Sequence, residues 1–147
     1  MSNQEIVFDD GVFVFETVMR VRNTEIDVGQ YMTIEAMTSI ISEVRARFFY
    51  SKGIKEINAD YQGLIVDDLR LNMLSRVRAR EELLFEVGVS EMSDQDGIIA
   101  VKATRMFDGS MVAKATMHFV NYDYRLNKVI ALHPSSKQAL DQTPFEL

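Results

Sequence analysis

The chain has 147 residues, enough for one domain, and its hydrophobic share of 47% is ample to fill one core. A formal net charge of −6 argues against general nucleic-acid binding, which rests on excess Lys and Arg. With no cysteine there is no disulfide, thiol nucleophile or thiolate metal site. No stretch approaches the roughly 18 apolar residues of a membrane span. The polar, acidic run Met1 to Gly11 lacks the basic start and apolar stretch of a signal peptide, so a soluble, cytoplasmic protein is expected.

Phe13, Phe15, Thr17, Met19 and Val21 alternate with Val14, Glu16, Val18, Arg20 and Arg22, the period of a strand with one buried face. A polar, Gly-containing loop fills Asn23 to Tyr31. From Thr33 the period changes: Ile34, Met37, Ile40, Ile41, Val44 and Phe48 recur at spacings of three and four, an amphipathic helix. Thr33 suits the N-cap, Glu35 complements the positive first turn, and Lys52-Gly53 reads as the stop. A helix carrying Met, Ile and Phe over so much of its circumference should be largely enclosed.

Strands fill most of the remainder. Leu64 to Leu74 sets Leu69, Leu71 and Met73 against Asp68, Arg70 and Asn72, and Glu82 to Glu91 places Leu83, Phe85, Val87 and Val89 on one face. Gly97 to Phe107 and Met111 to Tyr122 form two more, joined by Asp108-Gly109, a pair that supplies the positive φ of a tight hairpin. Ser93 to Gly97 is a longer acidic hairpin loop. A short strand, Lys128 to Leu132, precedes His133-Pro134, which should end regular structure, and Ser135 to Leu147 offers little pattern. The expected fold is α+β in a single domain with its core at about residues 12–134: one long helix against a curved antiparallel meander.

Val21-Arg-Asn-Thr-Glu-Ile-Asp27, then Glu43-Val-Arg-Ala-Arg-Phe48, then Gly53 resembles the 4-hydroxybenzoyl-CoA thioesterase family of hot-dog proteins. That family carries an Asp after the first strand, a Glu-x-Arg-x-x-Phe run on the helix and a Gly at its end. Val77, Glu82 and Leu83 keep part of a later strand–turn–strand motif, with Arg76 in its Pro place and Arg80-Glu81 in its Gly-Asp place. The resemblance spans roughly Phe13 to Pro134. Many members follow the Asp with Gly-His-Val-Asn-Asn and a later Tyr; here stand Gln30-Tyr31-Met32-Thr33-Ile34 and Met37, with Gly29 one place early. The resemblance implies a hot-dog fold, a long central helix wrapped by a five- to six-stranded antiparallel sheet. It also implies acyl-CoA thioesterase activity with coenzyme A as part of the substrate and no separate cofactor, and pairing of units into a homodimer or homotetramer with the site between them.

Hydrolysis of a thioester needs a polarised carbonyl and an attacking oxygen. The start of a buried helix offers free N–H groups and a positive dipole end, and the family's polarising amide maps to the backbone of Ile34. Asp27 would serve as general base or as nucleophile; without the resemblance its spacing reads first as a capping or turn residue. Glu43 is the secondary carboxylate, with a structural pairing to Arg45 as its alternative, and Glu35 complements the helix dipole. Tyr31, Thr33, Met37 and Ser39 are candidate substrate contacts, against plain roles as loop aromatic, cap, core and helix surface. Arg76, Arg78 and Arg80 alternate toward one side with Arg70 nearby, suited to clamp coenzyme A phosphates or to form a solvated, charged strand end. Met37, Met73, Met106 and Met117 read as core. His118 and His133 have no acid or nucleophile at a telling spacing, which argues against a Ser-His-Asp site or a metal centre.

The leading expectation is hydrolysis of an acyl-CoA. A thioesterase for carrier-bound acyl groups is disfavoured by the shared acidity of this chain and such carriers. A catalytically silent acyl-CoA binding module stays open because the Asn pair is missing. A hot-dog dehydratase would need a His near the helix start, and none lies between Asn23 and Gly53.

Overall fold

A computed structural model describes residues 6–8 and 10–141. The elements run β1 (Phe15–Arg20), a 3-10 turn (Asn23–Glu25), α1 (Ile34–Ser51), β2 (Gln62–Met73), β3 (Glu82–Met92), β4 (Asp96–Arg105), β5 (Met111–Asp123), β6 (Lys128–Ile130) and α2 (Pro134–Leu140). The six strands form one antiparallel sheet in the order β1-β3-β4-β5-β2, with β6 beside the end of β5. Residues 142–147, the last part of the tail, lie outside the described residues.

Side-chain period fixes β1, α1 and β3 to β5 as expected. In β1 the half-buried Phe15, Thr17 and Met19 alternate with exposed Glu16, Val18 and Arg20. Thr33 caps α1, its hydroxyl accepting from the Ala36 amide at 3.1 Å. At the other end Lys52 is the C-cap and Gly53, at φ 72°, takes the left-handed backbone that stops the helix. The β4–β5 hairpin turns on Gly109 at φ 73°, with Asp108 accepting from the Ser110 amide.

β2 breaks its own alternation. Leu64 and Val66 face the core, then so do Leu71 and Met73, a switch of parity that a bulge at Asp67 supplies. Without that extra residue the second half of the strand would turn its apolar side to water.

Three expectations need correction. β2 does not pair with β3 in a meander. It lies on the far edge, beside β5, and 74–81 crosses the strand ends to reach β3. Backbone bonds to β5 and to the loop before α1 hold that crossing: Leu74 N–H to Val112 O at 2.8 Å and Met32 N–H to Val77 O at 2.7 Å. His133-Pro134 does not end regular structure but starts α2. His133 accepts from the Ser135 amide, Pro134 suits the first turn, and buried Leu140 docks the helix. Met106 is not core; it lies half exposed beside the hairpin turn.

The core forms between α1 and the sheet. Met37, Ile40, Ile41, Val44, Phe48 and Phe49 make the helix stripe, packed with Leu83, Phe85, Val87, Ile99, Val101, Ala115, Met117 and Phe119. Enclosure of α1 holds on that side alone. Glu35, Ser39, Ser42, Glu43 and Arg47 stay exposed, because one sheet covers one face of a helix and these residues are polar. No described helix is long and apolar enough to cross a membrane.

Candidate active site

The turn between β1 and α1 is organised by its own backbone. Ile26 and Met32 form an isolated antiparallel bridge, and the Asp27 amide donates to Tyr31 O at 2.9 Å. Gln30, not Gly29, takes the left-handed backbone, at φ 71°. Gly29 has a different role: its amide donates to Asp27 Oδ1 at 2.9 Å, and a Cβ there would lie 3.1 Å from that same oxygen. The Tyr31 amide approaches Oδ1 at 3.5 Å, while Oδ2 has no hydrogen bond among the described residues. Asp27 is thus an exposed turn cap with one oxygen engaged and one open to solvent.

From Ile34, seven residues after Asp27, the first turn of α1 presents donors. Thr33 occupies the Ala36 amide, so the Ile34 and Glu35 amides are left without a partner among the described residues. Their N–H groups sit at the positive end of an 18-residue helix, where developing negative charge on an oxygen is favoured. The Ile34 side chain is half exposed and takes no part in this.

The crossing segment brings its arginines to the same turn. The guanidinium carbons of Arg76 and Arg78 lie 4.8 and 5.4 Å from the centroid of the Tyr31 ring. Arg78 Nη2 also donates to the Tyr31 hydroxyl at 3.3 Å. That hydrogen bond and then the arginine charges pull the Tyr31 phenol below its ordinary value, while the same hydrogen bond and the phenolate charge raise Arg78. Arg80 does not join them. It stands in a turn at φ 73°, so the extended alternation ends before it.

Other candidates fall elsewhere. Met37 is fully buried in the core. Ser39 is exposed on α1. Glu43 pairs with Arg47 at 3.3 Å, one helical turn on, rather than with Arg45. It also lines a cleft of about 1270 Å³, together with apolar Phe15, Ala46, Phe49, Ile54 and Leu64 and with charged Arg45, Arg47, Lys55 and Glu56. Asp27, Tyr31, Arg76 and Arg78 are not among the residues lining that cleft.

Two constellations escaped sequence reasoning. Arg105 ties the crossing segment down: it donates to Glu81 at 3.0 Å, to Ser75 at 3.1 Å, to Ser110 at 2.9 Å and to the Arg76 carbonyl. On the opposite face of the sheet His118 stands between Asp67 and Asp96. Neither group has a linear signature, since each joins strands far apart in the chain. Among the described residues no cluster of His, Asp and Glu is placed to hold a metal ion.

No protein-family model and no curated protein sequence matches the chain. Solved structures do. A 1,4-dihydroxy-2-naphthoyl-CoA thioesterase from Synechocystis superposes with a TM-score of 0.78 at 13% identity, over 86% of this chain and 94% of that one. A Staphylococcus aureus protein solved in complex with CoA gives 0.80 at 18% identity, over 94% and 85% of the two chains. A gentisyl-coenzyme A thioesterase gives 0.78 at 12% identity, over 86% and 100%. The chain has the hot-dog fold. At such identities the likeness establishes the hot-dog architecture and not the activity.

Proposed function

We propose that this hot-dog protein is an acyl-CoA thioesterase working at the turn that leads into α1. The observation that carries the reading is that one short stretch of chain, residues 27–35, holds both a half-engaged carboxylate and unbonded amides. Asp27 Oδ1 is steered by Gly29, its Oδ2 is open, and the Ile34 and Glu35 amides follow at the helix start. The thioester oxygen would accept from the Ile34 amide, which polarises the carbonyl. Asp27 takes a proton from water as the water oxygen attacks the carbonyl carbon. The C–S bond then breaks, and the coenzyme A thiolate leaves and is protonated. In the alternative route Asp27 itself attacks, and water hydrolyses the resulting anhydride.

Tyr31, Arg76 and Arg78 supply an aromatic face and two guanidinium groups beside this turn, suited to the phosphates of coenzyme A. Neighbours of the fold named as CoA thioesterases, and one solved with CoA, support that substrate class. The turn is exposed on a single chain. A homodimer in which a second copy closes it and covers the polar face of α1 is therefore part of the reading.

One observation favours a second assignment within the same activity. Glu43 lines the 1270 Å³ cleft together with Phe15, Phe49, Ile54 and Leu64, apolar surface against which an acyl group would pack. In that arrangement Glu43 supplies the carboxylate and Asp27 merely caps its turn.

Release of free thiol from a panel of acyl-CoAs, and from acyl groups on a carrier protein, decides among these readings. Native chain, Asp27→Asn and Glu43→Gln are compared. The Asp27 assignment expects turnover of an acyl-CoA that falls at least about a hundredfold in Asp27→Asn and little in Glu43→Gln. The reverse pattern transfers the role to Glu43. Thermal stabilisation by acyl-CoA with no thiol release by native protein overturns the enzyme reading in favour of a silent binding module.

A further inference from the structure

A second cleft, of about 470 Å³, opens at the far end of α1, where the helix stop meets the 58–64 turn and α2. Its chemistry is one-sided. Lys52 and Lys55 line it, and neither makes an ion pair among the described residues. Asn58 gives its Oδ1 to the amides of Asp60 at 2.9 Å and Gln62 at 3.0 Å, which leaves its Nδ2 as a donor. His133 Nδ1 accepts from the Ser135 amide at 3.1 Å, so the neutral ring carries its proton on Nε2, again a donor. Against these stands the Asp60 carboxylate, which also lines the cleft.

In a chain of net charge −6, two unpaired ammonium groups in one concavity with two oriented neutral donors form a local inversion of charge. We propose that this cleft binds a small molecule carrying a phosphate group, with Lys52 and Lys55 as the charged contacts and Asn58 and His133 as the neutral ones. A phosphate dianion has three terminal oxygens to accept from such a set, whereas a carboxylate has two. The cleft lies in the range of roughly 300–1,000 Å³ that small-molecule sites occupy, larger than a bare ion needs, so it has room for an organic group on the phosphate. Lys52 also sits where a cation stabilises the end of a helix dipole. Lys55, beyond the stop, has no such structural role. An α-helix of 18 residues is about 27 Å long. That length separates this cleft from the Asp27 turn, and the inference does not depend on thioesterase activity.

The test titrates the full chain with inorganic phosphate and, separately, with adenosine 3′,5′-bisphosphate, followed by backbone amide shifts in NMR. Lys52→Gln/Lys55→Gln is titrated in parallel after its melting temperature shows that it folds. Lys55→Gln alone replaces it if it does not. Saturable shifts at residues 52–62 and 133–139 are expected, with affinity at least about tenfold weaker in the variant. Tighter binding of the bisphosphate than of inorganic phosphate assigns the site to a nucleotide, and equal binding to a phosphate end alone. No saturation with either ligand, undiminished binding by the variant, or shifts confined to Tyr31 and residues 76–78 overturns the proposal.

Discussion

His118 Nδ1 lies 2.5 Å from Asp67 Oδ1, across the pairing of β5 with β2, while its Nε2 lies 2.7 Å from Asp96 Oδ2 on β4. A neutral imidazole has one N–H, so only the protonated ring donates to both carboxylates. Hydrogen bonds to Asp96 and then Asp67 raise His118 above its ordinary value.

The sign of the pH effect follows. A raised folded-state value means that the His118 contribution is fully present below the unfolded imidazole value, about 6.5. It is lost as the pH climbs through the raised value. Asp96 is held low, first by the hydrogen bond from His118 and then by that from Ser93. Its share is lost only as the pH falls through that lowered value. The melting temperature is therefore expected to drop as the pH rises from about 6.5 through the raised His118 value, and His118→Gln to flatten that drop. An equal drop in the variant rules the ring out as its source.

Arg76 and Arg78 flank the Tyr31 ring, and neither guanidinium has an ion pair among the described residues, although the charge of Glu81 acts on Arg78. If they meet substrate phosphates, Arg76→Gln/Arg78→Gln raises KM for an acyl-CoA about tenfold and leaves kcat nearly unchanged. Steady-state kinetics reads the split, and an unchanged KM discards the clamp. Arg78→Gln should also return the Tyr31 phenol toward its ordinary range, upward from its lowered value, in an ultraviolet pH titration.

Arg105 acts on the same segment from behind. Its guanidinium is mostly buried and bonds Glu81, Ser75, Ser110 and the Arg76 carbonyl. Arg105→Ala leaves several of these polar groups without a partner, and a stability loss of about 2 kcal/mol is expected by denaturant unfolding. A loss below about 0.5 kcal/mol would mean that water replaces it fully.

Thr33→Ala removes the cap of α1 and frees the Ala36 amide. The expected cost is about 1 kcal/mol, and Thr33→Ser should recover most of it. Chemical unfolding of the three proteins checks the order.

Much of this fold was readable one element at a time. Alternation marked β1 and β3 to β5, the three–four spacing marked α1, and Thr33, Lys52-Gly53 and Asp108-Gly109 marked their ends. α2 was not readable, because in seven residues it buries only Leu140 and leaves no period. At the candidate site, the turn-cap geometry of Asp27 and the capping of α1 followed from local chemistry. The company kept by Tyr31 did not.

For β1, β3 to β5 and α1 the amino-acid sequence by itself determined which face is apolar and roughly where the element begins and stops, since those depend on neighbours within a few residues. Tertiary structure alone decided that β2 lies beside β5, that Asp67 reaches His118, and that Arg76 and Arg78 reach Tyr31. A bulge shifts the parity of one strand, and a crossing segment carries the chain from the edge strand β2 to β3, inside the opposite edge strand β1. Both are settled by how the whole sheet fits against α1, and that fit is a property of residues distant in the chain.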